Sequence, residues 1–266
     1  MKKYNEKQKL SPSLKQQQVY FVGAGPGDPE LLTVKGQKLL KKADVVIYAG
    51  SLVNPALLKG LKAKIIDSAS MDLDEIIGVI RKAIKRKKRI VRLHTGDTSF
   101  YSAITEQIER LQELDISYEV VPGVSSALAG AAAIGQELTI PEISQTVIFT
   151  RLEGRTPVPK KERLSGLAKH QATLVIFLSV GMINDVVAEL MKGYPKNTPV
   201  VVIEKASWPE QKIIRGTLET IAGLVEEAKI RKTALIYVGK SLKASEQILG
   251  KASKLYHKDF RHEFRK

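Results

Sequence analysis

The 266-residue sequence contains no cysteine. Disulfides, thiolate-bound metals and cysteine nucleophiles are therefore excluded. Aromatic residues make up 6% of the chain, with a single Trp, so few platforms exist on which nucleic-acid bases would stack. No apolar run approaches the roughly 20 residues that a membrane helix needs. The first 18 residues, Met1 to Gln18, are polar and lysine-rich and lack the apolar core of a secretory signal. A cytoplasmic protein with no membrane partner is expected. The four histidines (His94, His170, His257, His262) show no metal-ligand spacing, and His257 and His262 read as tail residues. Neither a Gly-x-Ser-x-Gly elbow nor a His-Glu-x-x-His pair occurs. No protein-bound metal is expected. Chemistry that relies on positioning reactive partners fits this inventory.

Charge of one sign is abundant, at a net +15, but it is localised. Residues 1–18 carry +4, residues 81–89 carry +7 and residues 241–266 carry +4, which leaves the remaining body with 24 basic and 24 acidic residues. A nucleic-acid-binding protein or RNA methylase using the three basic segments is one reading. It predicts strong salt dependence of binding, and the neutral body argues against it. The run Lys85–Arg89 sits where a helix ends, and cations there complement the helix dipole.

Apolar residues amount to 43%, enough to bury a core. Val19–Gly23, Val45–Tyr48, Lys64–Asp67, Ile90–Leu93 and Tyr118–Val121 read as strands, and Leu31–Ala43, Pro55–Leu61, Tyr101–Glu113 and Ala127–Gly135 as helices. After Asp72, a helix cap, Ile76, Ile77, Ile80, Ala83 and Ile84 fall on one face. This alternation is that of a parallel sheet covered on both faces. The rhythm resets near Gly135–Glu142. Later strand candidates are Thr146–Thr150, Thr173–Leu178, Pro199–Ile203, Lys212–Gly216 and Ala234–Gly239, with helices near Lys160–His170, Met182–Lys192 and Leu218–Ala228. The short segment ASWPEQ permits antiparallel pairing of Pro199–Ile203 with Lys212–Gly216, so the second sheet is expected to be mixed. The organisation expected is an extension (1–18), an N-terminal α/β domain (19–136) with a mostly parallel sheet, a C-terminal α/β domain (137–240) with a mixed sheet, and a basic tail (241–266).

Three glycine-containing loops follow strand candidates of the first half: Gly23–Pro29 (GAGPGDP), His94–Asp97 (HTGD) and Pro122–Ser126 (PGVSS). An α/β sheet places its ligand at that carboxyl edge. The first loop is not a dinucleotide fingerprint, because Gly27 follows Gly25 by two positions and Pro26 and Pro29 lack backbone donors. Asp97 either accepts hydrogen bonds from a ligand or caps a helix beginning near Ser99. The first loop reads equally as a rigid turn that lets a ligand approach the backbone and as a simple strand-to-helix turn; three such loops from successive strand ends would converge on one crevice.

VYFVGAGPGDPELLTVKG, LHTGDTSFYSAI, VVPGVSSALAGAAA, ELTIPEISQTVIFTRLEGRTPVP and EKASWPEQKIIRGTL resemble the tetrapyrrole methylase family. Within it they resemble the branch acting on carbon 11 of precorrin-4. The resemblance covers nearly the whole chain from Val19. It implies two αβα domains, with S-adenosylmethionine in the cleft between them and S-adenosylhomocysteine as product. The implied reaction is methylation of carbon 11 of (cobalt-)precorrin-4 in cobalamin biosynthesis, by a homodimer acting on a polycarboxylate tetrapyrrole. Carried over by position, Pro26, Thr95, Gly96, Asp97, Phe100, Ser125 and Ser126 would contact the cofactor, joined by Leu178, Ala206 and Ala234. Asp28 and Tyr101 are the candidates near the reacting substrate, and Arg151 and Arg155 the candidates for its carboxylates or, alternatively, for structural ion pairs. Two positions depart from the pattern: Thr98 stands where relatives commonly have proline, and Gly50 where an aspartate is expected. Methylation at another ring carbon, or a binding module without turnover, are the alternative readings.

Overall fold

Strand-forming runs and the helices between them build two separate sheets. The structure is a computed structural model that describes residues 18–245, 253, 258–261, 263 and 265. Residues 1–17 of the extension, and His257 and His262, lie outside the described residues. The chain divides into a unit ending at Ser126 and a second beginning at Ala127.

In the first unit, β1 (Gln18–Gly23), β2 (Val45–Tyr48), β3 (Lys64–Asp67), β4 (Ile90–His94) and β5 (Ser117–Val121) pair in the order β3-β2-β4-β1-β5. Every pairing is parallel. The chain leaves β1 toward β2 and leaves β4 toward β5, so the loops of two adjacent strands depart in opposite directions. Such a switch point opens a crevice at the carboxyl edge. Helix α1 (Val34–Lys42) starts at Thr33, whose hydroxyl accepts from the Gly36 amide at 3.1 Å. Helix α2 (Leu73–Lys85) starts at the reciprocal pair Asp72–Glu75, in which each side chain accepts from the other's backbone N–H. It buries Ile76, Ile77, Ile80 and Ala83 in one core cluster with Val19, Phe21, Ile47 and Ile90. The three isoleucines contribute roughly 2 kcal/mol each, and Ile80→Ala would remove about 2–5 kcal/mol. Val22, Leu32, Leu40, Val46, Val91 and Leu93 form the second cluster of this unit. At the basic end of α2, Lys88 and Arg89 both approach the carboxylate of Asp44, and the Arg89 amide donates to it at 2.8 Å. That backbone bond, helped by the two cations, holds the Asp44 carboxyl below its ordinary pKa.

Helix α3 (Thr105–Glu113) begins four residues later than its sequence pattern suggests. Tyr101 (φ 53°) and Ala103 (φ 49°) are left-handed and cannot belong to it. The segment 31–43 likewise splits into a 3-10 turn at Pro29–Leu31 and α1, and 55–61 shortens to a 3-10 turn at Pro55–Leu57.

Helix α4 (Ser126–Ala133) straddles the division. Its Ala127 carbonyl accepts from the buried Tyr237 hydroxyl at 2.8 Å, which ties the helix to the second sheet; the division therefore falls after Ser126, ahead of the reset in sequence rhythm. That sheet contains β6 (Val147–Arg151), β7 (Thr173–Phe177), β8 (Pro199–Glu204), β9 (Lys212–Thr217) and β10 (Ala234–Val238), ordered β6-β7-β10-β8-β9. Only β6 and β7 run parallel, and β8 pairs antiparallel with β9 across the short connection. Helices α5 (Leu164–Ala168), α6 (Ile183–Leu190) and α7 (Ile221–Glu227) pack Leu164, Ile183, Leu190, Ile221 and Val225 against Leu174, Ile176, Val200 and Ile236. No helix among the described residues is long and apolar enough to cross a membrane.

Candidate active site

The carboxyl ends of β4, β1 and β5 lie side by side, and their loops touch backbone to backbone. Ala24 donates to the His94 carbonyl at 2.7 Å, Gly96 to Gly25 at 2.8 Å and Gly25 to Gly96 at 3.2 Å. Asp97 then bridges the second loop to the third: one carboxylate oxygen accepts from Ser99 and the other from Gly123, each at 2.8 Å. A methyl group on Gly23 would meet Gly123 at 2.6 Å and the Gly96 oxygen at 2.7 Å, so only glycines let three chains meet this closely. The three loops do converge at one edge of the sheet. Asp97 caps no helix at Ser99; its carboxylate is the tie between loops.

Pro26 and Ser125 are buried in this crevice region, Thr95, Asp97, Phe100 and Ser126 are half-buried, and Gly96 (φ 62°) is buried with a left-handed backbone. Asp28 caps the turn Pro29–Leu31 by accepting from the Glu30 amide at 2.8 Å. Tyr101 is 45% exposed and lines a cleft of about 400 Å3 beside the β4 loop, together with Arg92, His94 and Gln107. Sequence reading missed the contribution of Arg92. Its signal was a cation set between the apolar residues of the strand IVRLH. Thr98 is 2% exposed and its hydroxyl has no partner, as is also true of His94 Nε2. Gly50 is left-handed at φ 59°, and a methyl there would press on the Ala69 side chain at 3.0 Å.

The remaining predicted residues collect at one end of the second sheet. Arg151 pairs with Phe177 and Ala234 with Glu204 in register, while Leu178 and Ala206 follow directly on β7 and β8. Leu178, Lys205, Ser207 and Thr233 all adopt left-handed φ there, between 49° and 70°. Such strain costs on the order of 1 kcal/mol or more at each position and clusters at functional sites. The Arg151 guanidinium donates to the carbonyls of Thr156 (3.2 Å) and Pro157 (2.7 Å), bracing the loop that contains Arg155. Arg155 is exposed, and neither arginine forms a salt bridge among the described residues.

The model of the family described as Tetrapyrrole (Corrin/Porphyrin) Methylases matches residues 18–222. The chain belongs to this family. It is 56% identical over 251 residues to the protein named cobalt-precorrin-4 C(11)-methyltransferase of Methanocaldococcus jannaschii, covering 93% of this chain and 96% of that protein. The solved structure of a cobalt precorrin-4 methyltransferase superposes with a TM-score of 0.85 at 46% identity, over 88% of this chain and 99% of the other. A uroporphyrin-III C-methyltransferase from Thermus thermophilus, solved with S-adenosyl homocysteine, gives a TM-score of 0.73 at 30% identity, over 85% and 94% of the two chains. The charged groups of the three loops suit a cationic rather than an anionic ligand. Loops 23–29, 95–100 and 122–126 contain two carboxylates, Asp28 and Asp97, and no Lys or Arg. A sulfonium cation and a nucleoside are matched by that set; a nucleoside polyphosphate is not. Among the described residues no group of three or more His, Asp or Glu suits a metal ion.

Proposed function

We propose that this methylase transfers a methyl group from S-adenosylmethionine to carbon 11 of precorrin-4, free or bearing cobalt, as a step of cobalamin biosynthesis. The observation that carries the reading is the 56% identity, over 93% of the chain, to a protein bearing that name. Bound S-adenosylmethionine supplies a methyl on a sulfonium: the ring carbon forms a C–C bond as the C–S pair returns to sulfur. The chain's task is to align the two partners and exclude water, since a sulfonium is already a good leaving group. Pro26, Thr95, Gly96, Asp97, Phe100, Ser125 and Ser126 are the residues proposed to hold the cofactor, together with Leu178, Ala206 and Ala234. Asp28 and Tyr101 orient the reacting substrate, with no single acid or base required. Arg155, exposed on the loop braced by Arg151, binds a substrate carboxylate together with Arg151. The working form is a cytoplasmic homodimer with no resident metal, any cobalt arriving inside the substrate.

The test is incubation of the purified protein with 13C-methyl S-adenosylmethionine and either precorrin-4 or cobalt-precorrin-4. Mass spectrometry should find one added methyl, and NMR should place it on carbon 11. Transfer to neither tetrapyrrole, or to another carbon, refutes the reading.

A further inference from the structure

Arg92 lies in the middle of β4 and is 5% exposed, yet no carboxylate pairs with it among the described residues. Its Nε donates to Gln107 Oε1 at 3.1 Å and its Nη1 to the Ile47 carbonyl at 3.3 Å. Gln107, 4% exposed, is fixed in turn by donating to the Ala103 carbonyl at 2.8 Å. Two neutral acceptors thus anchor the inner side of the fork and leave Nη2 without a hydrogen-bond partner among the described residues, on a side chain that lines the 400 Å3 cleft. A buried guanidinium without a counter-ion is unfavourable, and a planar fork fixed on one side is preorganised to receive a carboxylate on the other. His94 lines the same cleft with its unpartnered Nε2. Burial, and then the Arg92 charge, lower the His94 pKa to about 3, so the ring is neutral and Arg92 is the only buried cation among the described residues of this wall. Glu106, exposed, is the one acid lining the cleft among the described residues. A single negative charge there disfavours a dianion such as phosphate more than a monoanionic carboxylate.

We infer that this cleft is a carboxylate subsite in which Arg92, held in place by Gln107, receives one acetate or propionate side chain of the tetrapyrrole. The inference rests on the proposed substrate and adds a contact beyond Arg151 and Arg155. The carboxylate of S-adenosylmethionine is the other source of the same chemistry, and the experiment separates the two.

The full chain is assayed with whichever precorrin-4 form it methylates, and its S-adenosylhomocysteine affinity is measured by calorimetry. Arg92→Met should raise KM for the tetrapyrrole by about tenfold or more, while kcat and the S-adenosylhomocysteine Kd stay within about twofold. Arg92→Lys should fall between Met and wild type. Because a buried substitution can impair folding, Ala69→Glu is measured in parallel. Ala69 is an exposed residue of the cleft wall, and a glutamate there offers Arg92 a competing carboxylate. It should also raise KM, and by more than the uncharged Ala69→Gln does. An unchanged KM in Arg92→Met and Ala69→Glu overturns the subsite while leaving the methyltransferase reading intact. A Kd for S-adenosylhomocysteine that rises in step with KM assigns the contact to the cofactor and likewise overturns it. Absence of turnover in the wild type overturns both.

Discussion

Replacing Gly123 by alanine tests the convergence of the three loops more directly than deleting any side chain. The added methyl would stand 2.2 Å from the Gly96 carbonyl oxygen and 2.8 Å from Gly23 Cα, whereas a carbon and an oxygen ordinarily keep about 3.3 Å. The obstacles are backbone atoms, so the loops must part by about 1 Å to restore that spacing. At that separation the Gly25–Gly96 pair (2.8 and 3.2 Å) and the bond from Gly123 to Asp97 (2.8 Å) cannot all persist. Two neutral bonds at about 1 kcal/mol each and one to a half-exposed carboxylate give a loss of roughly 2–4 kcal/mol. Gly78→Ala is the control: it sits inside α2, its added methyl meets nothing within 4 Å, and it should gain about 0.5–1 kcal/mol. Urea unfolding reads the stability of both variants, and calorimetric titration with S-adenosylhomocysteine reads the crevice. Gly123→Ala should lose stability and at least about tenfold in affinity, a factor that needs only about 1.4 kcal/mol. Wild-type stability together with wild-type affinity would refute the backbone-to-backbone crevice.

Thr98→Val removes a buried hydroxyl that has no partner and should stabilise the protein by about 1 kcal/mol in urea unfolding; a loss of that size would reveal a water bound to Oγ1. Gly130→Ala would place a methyl 2.1 Å from the Tyr237 hydroxyl, costing about 2 kcal/mol or more, and adding Tyr237→Phe should recover part of that loss; additive losses would contradict the geometry. For His94, the folded pKa of about 3 lies below the ordinary value of 6.5. The unfolded chain therefore binds a proton that the fold refuses, and stability falls as pH drops from about 6.5 toward 3, by at most about 1.4 kcal/mol per unit. His94→Gln should flatten that part of the curve measured by urea unfolding from pH 4 to 7, and an unchanged slope would show that His94 accepts its proton in the fold.

The strands were legible because each is a short apolar run bounded by turn residues, and β2 and β3 have the limits that the pattern suggests. The three loops were legible because Gly and Pro punctuate strand ends. The start of α3 was not, since the left-handed backbone of Tyr101 and Ala103 leaves no trace in residue type. Nor was the use of Asp97: a carboxylate near a helix start is ordinarily a cap, and its partner Gly123 lies 26 residues away. Arg151 reads as a candidate for a substrate carboxylate or for a structural ion pair; that its guanidinium also braces carbonyls of its own loop depends on how residues 152–157 fold back.

The sequence by itself determined two α/β units, a parallel sheet followed by a mixed one, and a set of loops at the carboxyl edge, because periodicity and turn chemistry act over a few residues. Which atoms meet was decided only by tertiary structure. Arg92 acquires its fixed fork from Ile47 and Gln107, 45 and 15 residues distant. The closeness of Gly23, Gly96 and Gly123 exists only once β4, β1 and β5 lie side by side. Contacts of that kind depend on register and crossover direction, which no local pattern encodes.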